Sequence, residues 1–268
     1  MTIALSQPYL ITFSFSSAAP KTEQRIVGGS VTSIEKWPFA AALLYSPTLM
    51  TYSQACGGTI ITNTAILSAM HCFVGDFVIN WLARVGSTNA NSGGVIHTLV
   101  TILLHNQFNG TTFDNDIAVL RTTNSIIYNQ HAQPGRVAGL NYALGDGEAV
   151  WAIGWGAISV NGPLSEQLRE VQIWTINQAT CRSRYAEIGL TVSDNMLCSG
   201  YLNVGGRDQC QGDSGGPLIH NNVVVGVCSW GYQCALPNFP GVNTRVTKYI
   251  TWIQALILAF LILNILIA

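Results

Sequence analysis

A glycine-rich turn around a single serine is the part of this sequence with the clearest chemical potential. It reads Gln-Gly-Asp-Ser-Gly-Gly-Pro over residues 211–217, with Ser214 at its centre. A serine hydroxyl is a poor nucleophile by itself, so it needs an adjacent base and hydrogen-bond donors for the oxyanion that its attack creates. Neighbouring glycines allow the backbone to come close to a substrate. Ser214 is therefore a candidate nucleophile.

Two other segments provide the groups that such a nucleophile requires. His71 lies at the end of Leu67–Cys72, and Asp116 precedes the apolar run Ile117–Leu120. Taken singly, the histidine could be structural and the aspartate could be a turn or cap residue. Taken together with Ser214, in the chain order His, Asp, Ser, they favour a catalytic triad.

A fourth segment completes a family resemblance. Arg25 is followed by Ile-Val-Gly-Gly. The four segments, in this order along the chain, resemble those of the trypsin-like serine proteases. The resemblance spans about Ile26 to about Gln254, and the local sequences at 149–151 and 205–208 are similar to those of the alkaline midgut trypsins of caterpillars. It implies an all-β fold of two six-stranded antiparallel Greek-key barrels followed by a C-terminal helix.

Position by position, the resemblance implies a role for each candidate catalytic residue. Ser214 would attack the scissile carbonyl carbon, His71 would take the serine proton and later protonate the leaving amine, and Asp116 would hold the histidine tautomer. The backbone N–H groups of Gly212 and Ser214 would form the oxyanion hole. Such an enzyme hydrolyses peptide bonds through an acyl-enzyme.

The resemblance also implies a specificity pocket. Asp208, six residues before Ser214, would form its floor and select Arg or Lys, because a buried carboxylate is costly unless a matching cation pairs with it. The alternative for Asp208 is an acid in a surface turn. Gln209 departs from the family pattern, in which a small residue stands beside the pocket acid, and we expect it to shift the preference toward Arg. The further pocket residues that the resemblance implies are Ser229, Trp230, Gly231 and Gly241.

Ile26–Gly29 resembles the mature N-terminus of these enzymes, and the resemblance implies a secreted zymogen. Cleavage after Arg25 would free the ammonium of Ile26, which would pair with Asp213 and order the pocket. We expect a candidate signal peptide over residues 1–19, although Tyr9–Ala19 is only modestly apolar, and an activation peptide over residues 20–25. The peptidase domain would then cover residues 26–254.

Composition agrees with a large β-sheet protein. The 268 residues are 49% apolar and include 26 glycines, which supports one large all-β unit or two fused barrels. The net charge of −1 gives no argument for a nucleic-acid partner. Helical periodicity is concentrated at 248–268. The apolar runs that predict strands are Phe39–Tyr45, Gly58–Ile61, Val95–Leu104, Ala149–Ile153, Val171–Thr175 and Val223–Ser229.

Seven cysteines indicate an oxidising, extracellular compartment. Their spacing alone does not determine the pairing. The family resemblance leaves Cys228 over, either as a small buried hydrophobic residue or as a reactive thiol. The disulfides that the resemblance implies are Cys56–Cys72, Cys181–Cys198 and Cys210–Cys234.

Two further features bear on conditions and cofactors. The chain has nine Arg and three Lys. Arg keeps its charge at a pH where Lys loses it, which suits an alkaline lumen; the alternative is chance in a chain with few charged residues. The segment Ser87–Gly94, where the family has a calcium loop, contains no acidic residue, so we expect no metal. We expect no other cofactor.

The C-terminal segment over residues 255–268 is an apolar helical extension with one polar residue, Asn264. As a helix it would be about 21 Å long, at ~1.5 Å per residue, and a membrane span needs about 20 residues, so it would have to borrow Tyr249–Gln254. Three interpretations stay open: weak membrane association, a docking or oligomerising helix, or an end that reflects an incorrect or alternatively spliced gene product.

Together these observations predict a secreted digestive endopeptidase of the gut lumen that cleaves after Arg or Lys. Its partners would be polypeptide substrates and protein protease inhibitors, and we expect a monomer. Two alternatives are a regulatory protease of an activation cascade and an inactive homologue that acts as a binding protein. Homologues of the second kind usually lose a triad residue, and all three are present here. Met70, where the family has a small alanine, could shift His71 and slow turnover without abolishing it.

Overall fold

The computed structural model describes residues 27–267, with side chains up to residue 259. The predictions for Arg25, Ile26 and the candidate signal and activation peptides therefore lie outside the described residues. The structure begins with a two-residue strand, β1 (Ser30–Val31), which lies at the edge of the second of two β-barrels.

The first barrel is closed by six strands. Around the barrel they follow the order β2-β3-β4-β7-β6-β5, and all neighbouring pairs are antiparallel. The strands are β2 (Ala40–Tyr45), β3 (Ser53–Thr62), β4 (Ala65–Ser68), β5 (Trp81–Val85), β6 (Val95–Leu104) and β7 (Ala118–Thr122).

The second barrel is also closed by six strands, because β9 pairs with β10 at one end of the sheet and with β12 at the other. The short β8 (Arg136–Val137) adds to β13 as a parallel neighbour. The six barrel strands are β9 (Ala149–Gly154), β10 (Arg169–Thr175), β11 (Met196–Gly200), β12 (Pro217–His220), β13 (Val223–Trp230) and β14 (Gly241–Arg245). The prediction of two six-stranded antiparallel barrels is thus confirmed.

Strand β7 shows how the sequence joins the two barrels. All five of its residues are buried, and alternate side chains enter different apolar clusters because successive side chains of a strand point to opposite faces. Ala118 and Leu120 pack in the core of the first barrel, whereas Val119 packs in a cluster that includes residues of the second barrel. Asp116, two residues before this strand, is thereby placed at the junction of the barrels.

Two helices interrupt the β architecture, and only the second was expected from the sequence. Helix α1 (Gln178–Ala186) begins after Asn177, whose side-chain oxygen accepts a hydrogen bond from the N–H of Thr180 (3.1 Å). Its buried residues, Cys181 and Tyr185, are four apart and so lie on one face.

Helix α2 (Ile250–Ile267) runs without a break through the apolar extension. Its first turns pack on the protein: Ile253 is buried, and the ring of Trp252 lies 5.0 Å from that of His105. Within the described residues, no helix combines the length and the apolar character that crossing a membrane requires.

Candidate active site

The three candidate catalytic residues come from the ends of three strands and meet between the barrels. His71 lies in a single 3₁₀ turn, Met70–Cys72, directly after β4, and Asp116 lies just before β7. Ser214 lies in the turn before β12 of the second barrel. His71 and Ser214 line the same cavity, so the arrangement exists only because the two barrels are packed together.

The side chain and the backbone of His71 are each held by one oxygen of the same carboxylate. Its Nδ1 lies 2.7 Å from Asp116 Oδ2, and its backbone N–H donates to Asp116 Oδ1 at 2.8 Å. An acceptor at Nδ1 keeps the neutral ring protonated there and leaves Nε2 free to accept a proton. This is the tautomer that a general base beside a serine requires.

The carboxylate of Asp116 is itself held from the second barrel. Asp116 has no exposed surface, and Ser229 Oγ donates to its Oδ2 in addition to the histidine. Thr244 Oγ1 donates to its backbone carbonyl at 2.6 Å. A buried charge with this many donors has little rotational freedom, so it orients the histidine rather than following it.

Aromatic and apolar residues cover the other sides of His71. The ring of Phe113 meets it edge to face with 5.5 Å between ring centres, and Phe113 adopts a left-handed backbone conformation, with φ of 57°. Met70 packs against the core of the first barrel, and both hydrogen bonds between His71 and Asp116 are present beside it. The larger residue at position 70 therefore does not separate the pair.

The turn around Ser214 depends on glycine at two positions. Gly212 and Gly215 have φ of 91° and 79°, a region that glycine occupies without strain. A Cβ at Gly215 would overlap Ser68 Oγ and the carbonyl of Gly57. Close packing of this turn against the first barrel is supported by a hydrogen bond from Gly57 N–H to Ser214 O at 2.7 Å.

The same turn leaves two donors unused. Among the described residues, the backbone N–H groups of Gly212 and Ser214 donate to no protein acceptor, while those of Asp213, Gly215 and Gly216 all do. Unpaired N–H groups beside a nucleophile are available to an oxyanion. These are the two groups that were expected from the sequence to form an oxyanion hole.

Gln54 supports this turn from the first barrel and was not identified from the sequence. It is buried in β3, and its Nε2 donates to the carbonyls of Gly212 (2.7 Å) and Cys56 (3.2 Å). Holding the Gly212 carbonyl fixes the peptide planes on either side of it. The only signal in the sequence is a polar residue within an otherwise small and apolar strand.

Asp213, beside the nucleophile, is buried under two glycines. Its carboxylate accepts the N–H groups of Gly156 (2.8 Å) and Cys210 (2.8 Å), and a Cβ at Gly154 or Gly156 would overlap it. Burial raises its pKa to about 6, although the two hydrogen bonds oppose that rise. The ammonium expected to pair with it, that of Ile26, lies outside the described residues.

Next to the nucleophile is a cavity of about 280 Å³ with Asp208 in its wall. Asp208 is only 2% exposed, and it accepts the N–H groups of Gln209 (2.9 Å) and Ala235 (3.0 Å). Burial raises its pKa to about 7, opposed by these hydrogen bonds and assisted by the charge of Asp213. An acid so placed is poised for a cationic ligand, and it is not in a surface turn.

The other predicted pocket residues also lie in the wall of this cavity. Trp230 packs its ring against that of Tyr185, 4.8 Å away, which fixes this side of the cavity. A Cβ at Gly241 would come within 2.7 Å of Asp208 Oδ1, so a side chain there would obstruct the acid. The predicted residues in the wall, besides Asp208, are Gln209, Ser229, Trp230, Gly231 and Gly241.

The structure contains three disulfides, and two of them brace the site. Cys56–Cys72 ties β3 to the turn of His71, and Cys210–Cys234 ties the two loops of the cavity. Cys181–Cys198 joins α1 to β11.

Cys228 is free and buried. Desolvation raises the pKa of its thiol well above the usual value, which favours a small buried hydrophobic residue over a reactive thiol.

A larger cavity, of about 470 Å³, lies on the outside of the first barrel beside His97 and His131. None of the candidate triad residues lines it. Over residues 27–267 there is also no group of three or more His, Cys, Asp or Glu side chains arranged to hold a metal ion.

Binding of a small cation in the Asp208 cavity should depend on pH. Because Asp208 has a pKa of about 7, binding a cation such as benzamidine must displace a proton at lower pH. We expect affinity, measured on protein cleaved after Arg25, to rise about tenfold per pH unit up to about 7 and to be level above it. Fluorescence titration from pH 5 to 9 measures this, with Asp208→Asn as a weakly binding, pH-independent control. An affinity that is flat from pH 5 would contradict the raised pKa.

Comparison with known proteins agrees with this geometry. The trypsin family model matches residues 26–253. The chain is 62% identical over 239 residues to Trypsin CFT-1 of Choristoneura fumiferana, covering 89% of this chain and 93% of the relative. It is 61% identical over 242 residues to "Trypsin, alkaline C" of Manduca sexta, covering 90% and 94%. It is 51% identical over 234 residues to Achelase-1 of Lonomia achelous, covering 86% and 99%.

Proposed function

Because the chain belongs to the trypsin family and is a serine endopeptidase, we propose that it cleaves polypeptides after Arg or Lys. The observation that carries this proposal is the buried carboxylate of Asp208 in the wall of the cavity that Ser214 and His71 also line. A guanidinium or ammonium pairs the charge of a carboxylate in such a place, which an apolar side chain cannot do.

The proposed reaction proceeds in two steps at Ser214. In the first, Ser214 Oγ bonds to the substrate carbonyl carbon while its proton passes to His71 Nε2, and the peptide C–N bond then breaks as His71 returns that proton to the leaving amine. In the second, a water molecule gives a proton to His71 Nε2 as its oxygen bonds to the acyl carbon, the ester bond to Ser214 Oγ then breaks, and His71 returns the proton to Ser214 Oγ. The N–H groups of Gly212 and Ser214 stabilise the oxyanion in both steps.

We further propose that the enzyme is made as a zymogen activated by cleavage after Arg25. The support comes from Asp213, whose buried carboxylate needs a cation to offset its desolvation, and from the Ile-Val-Gly-Gly segment that follows Arg25. Arg25 is itself a residue that an Asp208 pocket would accept, so activation by a second copy of the enzyme is consistent with this proposal.

The proposed setting is secretion into an alkaline gut lumen, where the enzyme would digest dietary protein and meet protein protease inhibitors. The support is the identity to the alkaline trypsins of Manduca sexta, the disulfides, and a basic complement of nine Arg and three Lys. Monomeric state and weak membrane association of the α2 extension stay predictions from the sequence.

Cleavage of matched Arg, Lys and Phe amide substrates from pH 7 to 11 tests the proposed function. We expect the full-length chain to be inactive, and material cleaved after Arg25 to cleave the Arg and Lys substrates and to stay active at high pH. A Phe substrate should be cleaved at least about 10²-fold more slowly, because it leaves the buried Asp208 unpaired.

Two results would contradict the proposal in different ways. Preference for the Phe substrate would refute the specificity while leaving the peptidase chemistry intact. No turnover of any substrate, together with no labelling of Ser214 by a fluorophosphonate, would refute the chemistry in this chain and favour an inactive homologue. Activity of the uncleaved chain equal to that of the cleaved form would refute the zymogen proposal alone.

A further inference from the structure

A buried amide in the second barrel connects to the wall of the specificity cavity. Asn243, in the middle of β14, has no exposed surface, and it was not identified from the sequence. Its Nδ2 lies 3.2 Å from the backbone carbonyl of Leu197 and 3.0 Å from Ser199 Oγ, both on the neighbouring β11. Its Oδ1 lies 2.7 Å from Nε2 of Gln209. A chain of hydrogen bonds therefore runs from β11 to the cavity wall.

The orientation of both amides follows from the backbone carbonyl of Leu197. A carbonyl oxygen can only accept a hydrogen bond, so the Asn243 atom that faces it must be the NH₂ group. The oxygen of Asn243 therefore faces Gln209, and the Gln209 atom that faces this oxygen must in turn be its NH₂ group. One fixed acceptor in β11 thus sets which way the Gln209 amide points.

With Nε2 of Gln209 facing Asn243, the side-chain oxygen Oε1 stays available for another partner. Its Oε1 accepts no hydrogen bond from any described residue, and the side chain lies in the wall of the cavity directly beside Asp208. Without Asn243, Gln209 could rotate its amide by half a turn. Its NH₂ group would then face the cavity in place of Oε1, and this group would repel a cation.

We propose that Asn243 is a positioning residue that holds the Gln209 amide so that its Oε1 serves as a second acceptor beside Asp208, and that this pair selects Arg over Lys. The inference rests on the proposed function, since it refines the specificity of the same cavity. Its physical basis is the number and direction of donors on the substrate cation.

Arginine and lysine differ in how much they gain from a second acceptor. The planar guanidinium carries five N–H donors, and a carboxylate takes two of them side by side. Those that remain lie in the same plane and are costly to bury without an acceptor. The ammonium of Lys is compact, is strongly hydrated, and can keep a water molecule in place of the amide. An oxygen beside the acid therefore favours Arg.

The ratio of kcat/KM for matched Arg and Lys substrates, measured on enzyme cleaved after Arg25, tests the inference. Asn243→Leu keeps the approximate size but removes the amide, and Gln209→Met keeps the length but removes the acceptor. We expect each variant to lower the Arg-to-Lys ratio about tenfold or more. We expect the double variant to lower it no further, because both changes remove the same acceptor.

Ser199→Ala is the matched control. It removes one contact of the Asn243 NH₂ group and keeps the carbonyl of Leu197, so the ratio should stay within about twofold of wild type. Equal losses on Arg and Lys substrates, with an unchanged ratio, would show that Asn243 is merely structural and would overturn the inference. If Asn243→Leu does not fold, an unchanged ratio in Gln209→Met, which alters the cavity wall, overturns it by itself. Wild-type enzyme that cleaves neither substrate would instead refute the proposed function.

Discussion

Replacing Asp116 by Asn is expected to lower kcat on an Arg amide substrate about 10⁴-fold while leaving the specificity cavity intact. The two oxygens of Asp116 accept from different donors, the backbone N–H and the Nδ1–H of His71. An asparagine can offer an oxygen to only one of them. Its NH₂ group cannot face the backbone N–H, since two donors repel, so it must face Nδ1.

This orientation puts the proton of His71 on the wrong nitrogen. With Nδ1 accepting from the introduced amide, the neutral ring carries its proton on Nε2 and can no longer take one from Ser214. Steady-state kinetics at pH 8 measures the loss, and Ser214→Ala defines the floor. Unchanged affinity for benzamidine would show that the cavity is undisturbed. A loss below about 10²-fold would mean that Asp116 does not determine the tautomer.

Replacing Asp208 by Asn is expected to lower kcat/KM on Arg and Lys substrates about 10²- to 10⁴-fold and to raise it on a Phe substrate, which no longer leaves a buried carboxylate unpaired. The buried cation of the substrate would lose its partner, a loss of about 3–5 kcal/mol. The triad and the turn of Ser214 are untouched by this change, so a fluorophosphonate should label the variant at nearly the wild-type rate. Equal losses on all three substrates would indicate a general structural defect.

Asp208→Asn is expected to lower activity on Arg and Lys substrates without lowering the stability of the fold. Burial raises the pKa of Asp208 to about 7 in the folded protein, whereas the unfolded chain has the usual value near 4. The folded state therefore holds this proton more tightly, and the carboxylate costs stability increasingly as pH rises from about 4 to about 7, up to about 4 kcal/mol. Asparagine has no such cost, but its NH₂ group must face the N–H of Gln209 or of Ala235, which costs about 1–3 kcal/mol, so the gain exceeds the loss and Tm at pH 8 should not fall. A Tm lowered by several degrees would contradict this account of Asp208.

The elements that the sequence predicted best were those with a strong local signal. The six apolar runs all became strands, because alternating or continuous Val, Ile and Leu between turn residues has few other solutions. Helix α1 was missed, since it has only two buried residues, Cys181 and Tyr185, and is otherwise polar. Its cap at Asn177 and the disulfide at Cys181 stabilise it instead.

The candidate catalytic residues were identifiable from the sequence because each carries its chemistry in its own side chain and lies in a distinctive local segment. His71, Asp116, Asp208 and Ser214 are of this kind. The residues that hold them were not identifiable, since their roles arise from contacts across the fold. Gln54 reaches Gly212, which is 158 positions away in the chain, and neither segment reveals that contact.

The sequence by itself therefore determined the family and the candidates for the nucleophile, its base and the pocket acid. The tertiary structure alone decided how these groups are held: the two oxygens of Asp116 shared between donors, the unpaired N–H groups of Gly212 and Ser214, and the Asn243 amide behind Gln209. The reason is physical. Residue type sets which reaction is available, whereas hydrogen-bond direction and burial depend on groups that only the packing of the two barrels brings together.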